Sequence, residues 1–247
     1  MEYVETKDGK INRKINSEYI VALTFPNEAD IFWKDWDYFN STCTNLLDSF
    51  KKYGDPYAIE LFSPYRDVNY SEDDFIEFYR RFETVFSKRK NIKILMVNGV
   101  YRAKNSTKKV SMFQSAEDLV GLCEIIEGLK FRLRLTISIK NILQGKLKRS
   151  DKSLMTPLYD KKYMIEGLHI SKSFGMKEVN FIKDQNNSEY FSRFGFTDTS
   201  GILDSVSRLL FEDTPHYMVP MGVESDIELE DLCDDLLRAG FAFIRER

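Results

Sequence analysis

Apolar and polar positions along the chain follow two periods, and their alternation predicts the elements. Tyr19 to Phe25 is a mostly apolar run stopped by Pro26, the pattern of a buried strand. Phe32, Trp36, Phe39, Cys43, Leu46 and Phe50 then recur at helical spacing, which predicts one long helix closed by Gly54 after Lys51 and Lys52. Tyr57 to Phe62 reads as a strand. Ser71 caps a helix with Glu72, Asp73 and Asp74 in its first turn and Lys88, Arg89 and Lys90 at its end, an order that suits the helix dipole. Further strands are expected at Lys93 to Val100, Phe131 to Ile139, Lys177 to Lys183, His216 to Gly222 and Phe241 to Glu246, and a helix at Asp226 to Arg238.

Strand starts at 19, 57, 92 and 131 lie 38, 35 and 39 residues apart, the spacing of β-α units rather than hairpins. One hairpin is expected at the start, where Asp8-Gly9 separates two short β-prone runs within Glu2 to Ile15. Repeated β-α units build an open parallel sheet or a closed barrel, and 247 residues is close to the ~250 of a (β/α)8 barrel. The run Phe131 to Ile139 alternates Phe131, Leu133, Leu135, Ile137 and Ile139 with Arg132, Arg134, Thr136 and Ser138. An inner strand of an open sheet is apolar on both faces, whereas a barrel strand turns one face inward and tolerates polar groups there. The expected fold is therefore a single α/β domain spanning 1–247, a (β/α)8-like barrel with an N-terminal β-hairpin; the alternative is an open α/β sheet.

Composition narrows the setting more than the function. No apolar run approaches the ~18 residues that span a bilayer, and residues 1–17 lack the apolar stretch of a signal peptide, so a cytoplasmic protein without membrane contact is expected. Cys43, Cys123 and Cys233 are widely spaced, and with only His169 and His216 to join them a metal site is not expected. No cofactor is expected either, because Gly145-Lys146-Leu147-Lys148-Arg149 has too few glycines to cradle a phosphate. Charge is polarised. Arg80 to Lys162 holds 20 Lys and Arg against 7 Asp and Glu, whereas Asp198 to Asp235 holds eleven carboxylates against Arg208 alone. The basic stretch suits a polyanion, with Lys140, Lys146, Lys148, Arg149 and Lys152 expected on an exposed loop after the Phe131 strand.

Several local runs occur in a telling order: Tyr3 to Ile11 with Asp8-Gly9-Lys10-Ile11, Val21-Ala22-Leu23, Ile59-Glu60-Leu61-Phe62-Ser63-Pro64, Gly128 to Leu133, and Met221-Gly222-Val223-Glu224-Ser225. Together they resemble the EAL domain, a barrel that hydrolyses cyclic di-GMP with two divalent metals. The resemblance implies a first strand antiparallel to the rest and metal-binding carboxylates at matching positions. This chain departs there, with Val21, Glu60, Met96, Thr136, Ile137 and Met221 at ligand positions, and Phe25 in place of the substrate-binding arginine; Lys183 matches the catalytic lysine only if the register shifts by one residue. One carboxylate does not hold two metals. The resemblance thus implies a catalytically degenerate EAL-like regulator acting through a protein partner. Two alternatives stand beside it: a protein binding nucleic acid, a nucleotide or another polyanion through the basic 80–162 region, and an enzyme of another class on a barrel scaffold with Glu60, Asn98, Arg132, Arg134 and Lys183 around a central pocket.

Overall fold

Helix boundaries follow local capping chemistry. The computed structural model describes residues 1–24, 31–66, 69–99, 102–104, 107–144, 152–171, 200–210 and 214–243. The helical pattern from Phe32 to Phe50 forms two helices, α1 (Ile31–Lys34) and α2 (Trp36–Tyr53). They part at Asp35, whose backbone is extended and whose carboxylate accepts from the Asp37 and Tyr38 N–H groups, restarting the helix as its cap. Gly54 ends α2 at φ +88°, a conformation glycine adopts without strain. Helix α3 (Glu72–Val85) begins at Ser71 with a reciprocal capping box to Asp74. Later come α4 (Ala116–Leu129), α5 (Ile139–Gln144), a 3-10 helix (Lys152–Met164), α6 (Ser200–Ser207) and α7 (Asp226–Arg238).

The strands are β1 (Glu2–Thr6), β2 (Tyr19–Leu23), β3 (Ala58–Phe62), β4 (Tyr65–Arg66), β5 (Lys93–Val97), β6 (Arg102–Lys104), β7 (Thr107–Ser111), β8 (Arg134–Ser138), β9 (Ile165–Ser171) and β10 (Tyr217–Met221). Seven of them form a parallel sheet in the order β1-β2-β3-β5-β8-β9-β10, and the fold is an α/β barrel rather than the open-sheet alternative. A separate three-stranded sheet has the order β4-β7-β6.

The expected N-terminal hairpin is corrected by the pairing of β1 with β2, which is parallel from Glu2↔Tyr19 to Thr6↔Leu23. The turn itself forms: Gly9 has φ +82° and the Asp8 carboxylate accepts from the Lys10 N–H. The chain then fails to return as a strand. The Ile11 N–H donates to the Ser49 hydroxyl on α2, and the Asn16 N–H donates to Glu2, so residues 7–18 form a crossover loop. Of the expected terminal strand Phe241 to Glu246, residues 241–243 do not pair as a strand and Phe243 is 46% exposed, while 244–246 lie outside the described residues. The Lys177 to Lys183 strand lies outside the described residues.

The chain divides into two compact units: residues 1–114 with 121–136, and residues 115–120 with 137–247. In the first, the two faces of the sheet differ. Val4, Val21, Leu23, Ile59, Leu61, Ile94, Met96 and Leu135 make one face mostly apolar and buried, with Thr6 its buried polar residue on β1. This is the face that suits the apolar stripes of α2 (Phe39, Leu46, Phe50) and α3 (Phe75, Phe78, Phe82). An aromatic cluster fills the same unit, with Phe32 at 5.3 Å from Phe39 and Phe82 at 4.7 Å from Phe86. In the second unit, β9 pairs with β10 in parallel, and Gly167 leaves room for the Tyr217 ring lying across it.

Candidate active site on the inner face of the barrel

The opposite face of the first unit carries the charge. Strand register places Glu5, Ala22, Glu60, Leu95 and Arg134 in one row across β1, β2, β3, β5 and β8. Charged residues thus come from alternate strands and are separated by small or aliphatic ones. Barrel interiors are ordinarily layered with branched apolar side chains. A charged layer costs desolvation and is kept where it does something, or where every charge is satisfied.

Glu60 is the centre of the row and is 0% exposed. Its Oε2 accepts a 2.7 Å hydrogen bond from the Tyr3 hydroxyl, two strands away. Tyr3 reaches it across β2, where the same-face residues are Ile20 and Ala22; the small Ala22 leaves space for the ring. Burial, then the charge of Glu60 and its hydrogen bond, then Glu5, push the Tyr3 phenol far above its ordinary value. Tyr3 is therefore a fixed proton donor to the carboxylate. Glu5 is exposed and Tyr3 half-buried, so the row opens to solvent on the β1 side while Glu60 lies further in. At the other end Arg134 is half-buried, and its Nη1 donates to the Leu133 carbonyl at 2.9 Å. One row further along, Phe62, Val97 and Thr136 stand in register, and Thr136 is fully buried.

The other expected pocket residues are placed differently. Arg132 precedes β8, and its guanidinium donates to the carbonyls of Phe86, Arg89 and Ile92, the last at 2.8 Å. It closes the turn between α3 and β5, at the strand starts rather than at a pocket. Asn98 follows β5, is buried, and its amide donates to the Gln114 carbonyl at 3.4 Å, joining the strand end to the loop before α4. Lys183 lies outside the described residues.

Of the basic cluster expected on a loop, Lys140 is a half-buried residue of α5, because β8 runs directly into that helix at Ile139. Lys152 begins the 3-10 helix. Lys146, Lys148 and Arg149 lie outside the described residues. Among the positions that the family resemblance maps to metal ligands, Glu60 and Thr136 share the charged face, whereas Val21 and Met96 are on the apolar one. Among the described residues, no group of three or more His, Cys, Asp or Glu side chains is placed to hold a metal ion.

Sequence reasoning passed over Tyr3 as a site residue, and it passed over β9. Nothing local marks Tyr3, whose role depends on a partner 57 residues away. In the second unit His169 is a buried residue of β9, in register with Val219.

No protein-family model and no curated protein matches the chain. Solved structures do. The crystal structure of AsfvAP:AG is similar over 90% of this chain and 73% of its own, at 11% identity and a TM-score of 0.55. A D-allulose 3-epimerase from Methylomonas sp., in complex with D-allulose, is similar over 90% of this chain and 74% of its own, at 10% identity and a TM-score of 0.51. The same epimerase with additional C-terminal residues covers 87% of this chain at a TM-score of 0.51. At these identities the likeness is one of fold.

Proposed function

We propose that the chain is a barrel enzyme of the acid–base class, which moves a proton on a small polyhydroxylated carbonyl compound at Glu60. The observation that carries this reading is the bond from Tyr3 to Glu60 at 2.7 Å inside a charged row of the barrel. A carboxylate held in one orientation is a general base, and Tyr3 is the group that orients it. In the proposed step Glu60 takes a proton from the carbon next to the carbonyl, and the electron pair moves to the carbonyl oxygen. Arg134, the cation of the row, offsets the charge developing on that oxygen. Return of the proton to the same carbon leaves the compound unchanged apart from exchange with solvent, whereas its return to the neighbouring carbon, with the hydroxyl proton passing between the two oxygens, gives an isomer without net gain or loss of atoms.

Two things support this reading over a purely regulatory one: the cost of keeping Glu60 fully buried on an inner face, with Arg134 half-buried in the same row, and a fold shared with an epimerase solved in complex with D-allulose. The test is proton exchange. The protein is incubated in D2O with a panel of ketoses that includes D-allulose, and loss of carbon-bound hydrogen is followed by NMR. Exchange that falls at least ~100-fold in Glu60→Gln supports the proposal. Exchange unchanged by that substitution, or no exchange with any ketose, removes it.

A further inference from the structure

A buried base must also lose the proton it takes. Glu60 is 0% exposed, and its same-face neighbours are Ala58 and Phe62 along β3, Ala22 on β2 and Leu95 on β5, none of which carries a proton. Register supplies a way out. Ala22 stands between Glu5 on β1 and Glu60 on β3, one strand to each side at ~4.8 Å per step, so the backbones of the two carboxylate residues lie about 10 Å apart. The Tyr3 hydroxyl fills that interval. Tyr3 is two residues before Glu5 on the same face of β1, and its hydroxyl crosses β2 to donate to Glu60 Oε2 at 2.7 Å. Burial, then Glu60, then Glu5 hold this hydroxyl in its neutral form. From Glu5, exposed, through Tyr3, half-buried, to Glu60, buried, the three groups run from solvent inward.

We infer that Tyr3 and Glu5 form a relay that carries the proton taken by the buried Glu60 out to solvent; the inference rests on Glu60 acting as the base proposed above. A tyrosine hydroxyl donates one hydrogen and accepts through its lone pairs, so Tyr3 serves a neighbour on each side. While Glu60 is a carboxylate, Tyr3 donates to it, as observed. Once Glu60 has taken a proton the bond reverses: the Glu60 O–H donates to the Tyr3 oxygen, and the Tyr3 hydroxyl turns to Glu5. The Glu60 proton then moves to the Tyr3 oxygen as the Tyr3 proton moves to a Glu5 oxygen. Tyr3 stays neutral throughout, the negative charge passes from Glu5 to Glu60, and Glu5 releases the proton to water. The restored Glu60 carboxylate again accepts from Tyr3, which is the arrangement the structure holds.

The test follows the label rather than the rate. A ketose deuterated at the carbons next to its carbonyl is turned over in H2O, and the deuterium retained in the isomer is compared with that lost to solvent. Tyr3→Phe breaks the relay and should raise the ratio of retained to lost deuterium about tenfold. Glu5→Gln, which keeps the bond from Tyr3 to Glu60, should raise it at least ~3-fold. A Tyr3 that only orients Glu60 would change the rate and leave this ratio in place. The hydroxyl is also read without substrate. With tyrosine 13C-labelled at Cζ in mixed H2O and D2O, exchange of the hydroxyl hydrogen shifts the Tyr3 resonance, the one missing from Tyr3→Phe, and Glu5→Gln should slow that exchange about tenfold. Circular dichroism of both variants reports whether the fold is kept. A ratio unmoved in folded, active Tyr3→Phe or Glu5→Gln, or hydroxyl exchange indifferent to Glu5→Gln, would overturn the relay. No carbon exchange in the parent overturns the proposed base and with it the source of the proton, whereas carbon exchange with an unmoved ratio overturns the relay alone, so the two failures are read separately.

Discussion

The Tyr3 hydroxyl on β1 donates to the Glu60 carboxylate on β3 at 2.7 Å, spanning the strand between them. Three parallel strands are thereby tied on their inner face by one side-chain bond. Tyr3→Phe removes the donor and should destabilise the protein by about 1.5–3 kcal/mol in urea unfolding at neutral pH, the range for a hydrogen bond to a charged group. Because folding raises the Tyr3 phenol, its contribution is complete below the ordinary tyrosine value near 10 and is lost as the pH rises beyond it. The parent should therefore lose stability above about pH 10 more steeply than Tyr3→Phe. Parallel pH profiles for the two proteins would contradict this.

Gly99 and Ser111 are in a contact that leaves no room for a methyl group. Gly99→Ala should cost about 1–3 kcal/mol as overpacking, and Ser111→Gly in the same chain should recover most of it. A double-mutant cycle by thermal unfolding measures the coupling. Additive effects would mean that the root of the small sheet relaxes freely.

At the start of α3, Ser71 and Asp74 cap one another, with Ser71 accepting from the Asp74 N–H and Asp74 accepting from the Ser71 N–H at 2.6 Å. Ser71→Ala should cost about 1 kcal/mol. The bonds from the Ser71 backbone, then from its hydroxyl, hold the Asp74 carboxyl below its ordinary range. A lowered carboxyl stabilises the fold above the ordinary carboxylate range and stops doing so as the pH falls through the lowered value, below about 4. Acid unfolding should therefore be less steep in Asp74→Asn than in the parent.

The three cysteines should separate by reactivity. Burial pushes the Cys43 thiol up to about 12, and Cys123 is buried on α4. Cys233 on α7 is half-buried, with its thiol raised by burial and by Asp234. The thiolate is the reacting form, so a disulfide reagent at pH 8 should label Cys233 first and Cys43 only on unfolding. Mass mapping of the singly labelled protein checks the order.

Legibility in the sequence follows the range of the interaction. Helices α2 and α7 and the start of α3 are readable because Gly54, the Asp226–Arg238 pattern and Ser71 act within a turn or two of where they sit; the expected end of α3 is not, since the helix stops at Val85, before Lys88, Arg89 and Lys90. The alternation of Arg134, Thr136 and Ser138 with apolar residues marks a barrel strand, and the structure places β8 there. The small sheet was unreadable because Arg102–Lys104 and Tyr65–Arg66 are too short and polar to show a period. β9 was hidden by Gly167 and His169 interrupting its apolar residues. Asp8-Gly9 does make a turn, but which strand pairs with β1 is decided by contacts far along the chain. Glu60 stood out as a carboxylate within an apolar strand; its partner Tyr3 did not, since strand order brings them together.

Entry of a carbonyl compound to the inner row is the central claim, and Glu60 reports on it directly. With glutamate 13C-labelled at its carboxyl carbons, the Glu60 resonance is the one missing from the spectrum of Glu60→Gln. Addition of a ketose that the protein exchanges should shift this resonance, with a smaller change at Glu5 and none at glutamates on α3 such as Glu72 or Glu77. A ketose that undergoes exchange while the Glu60 resonance stays in place would contradict the account.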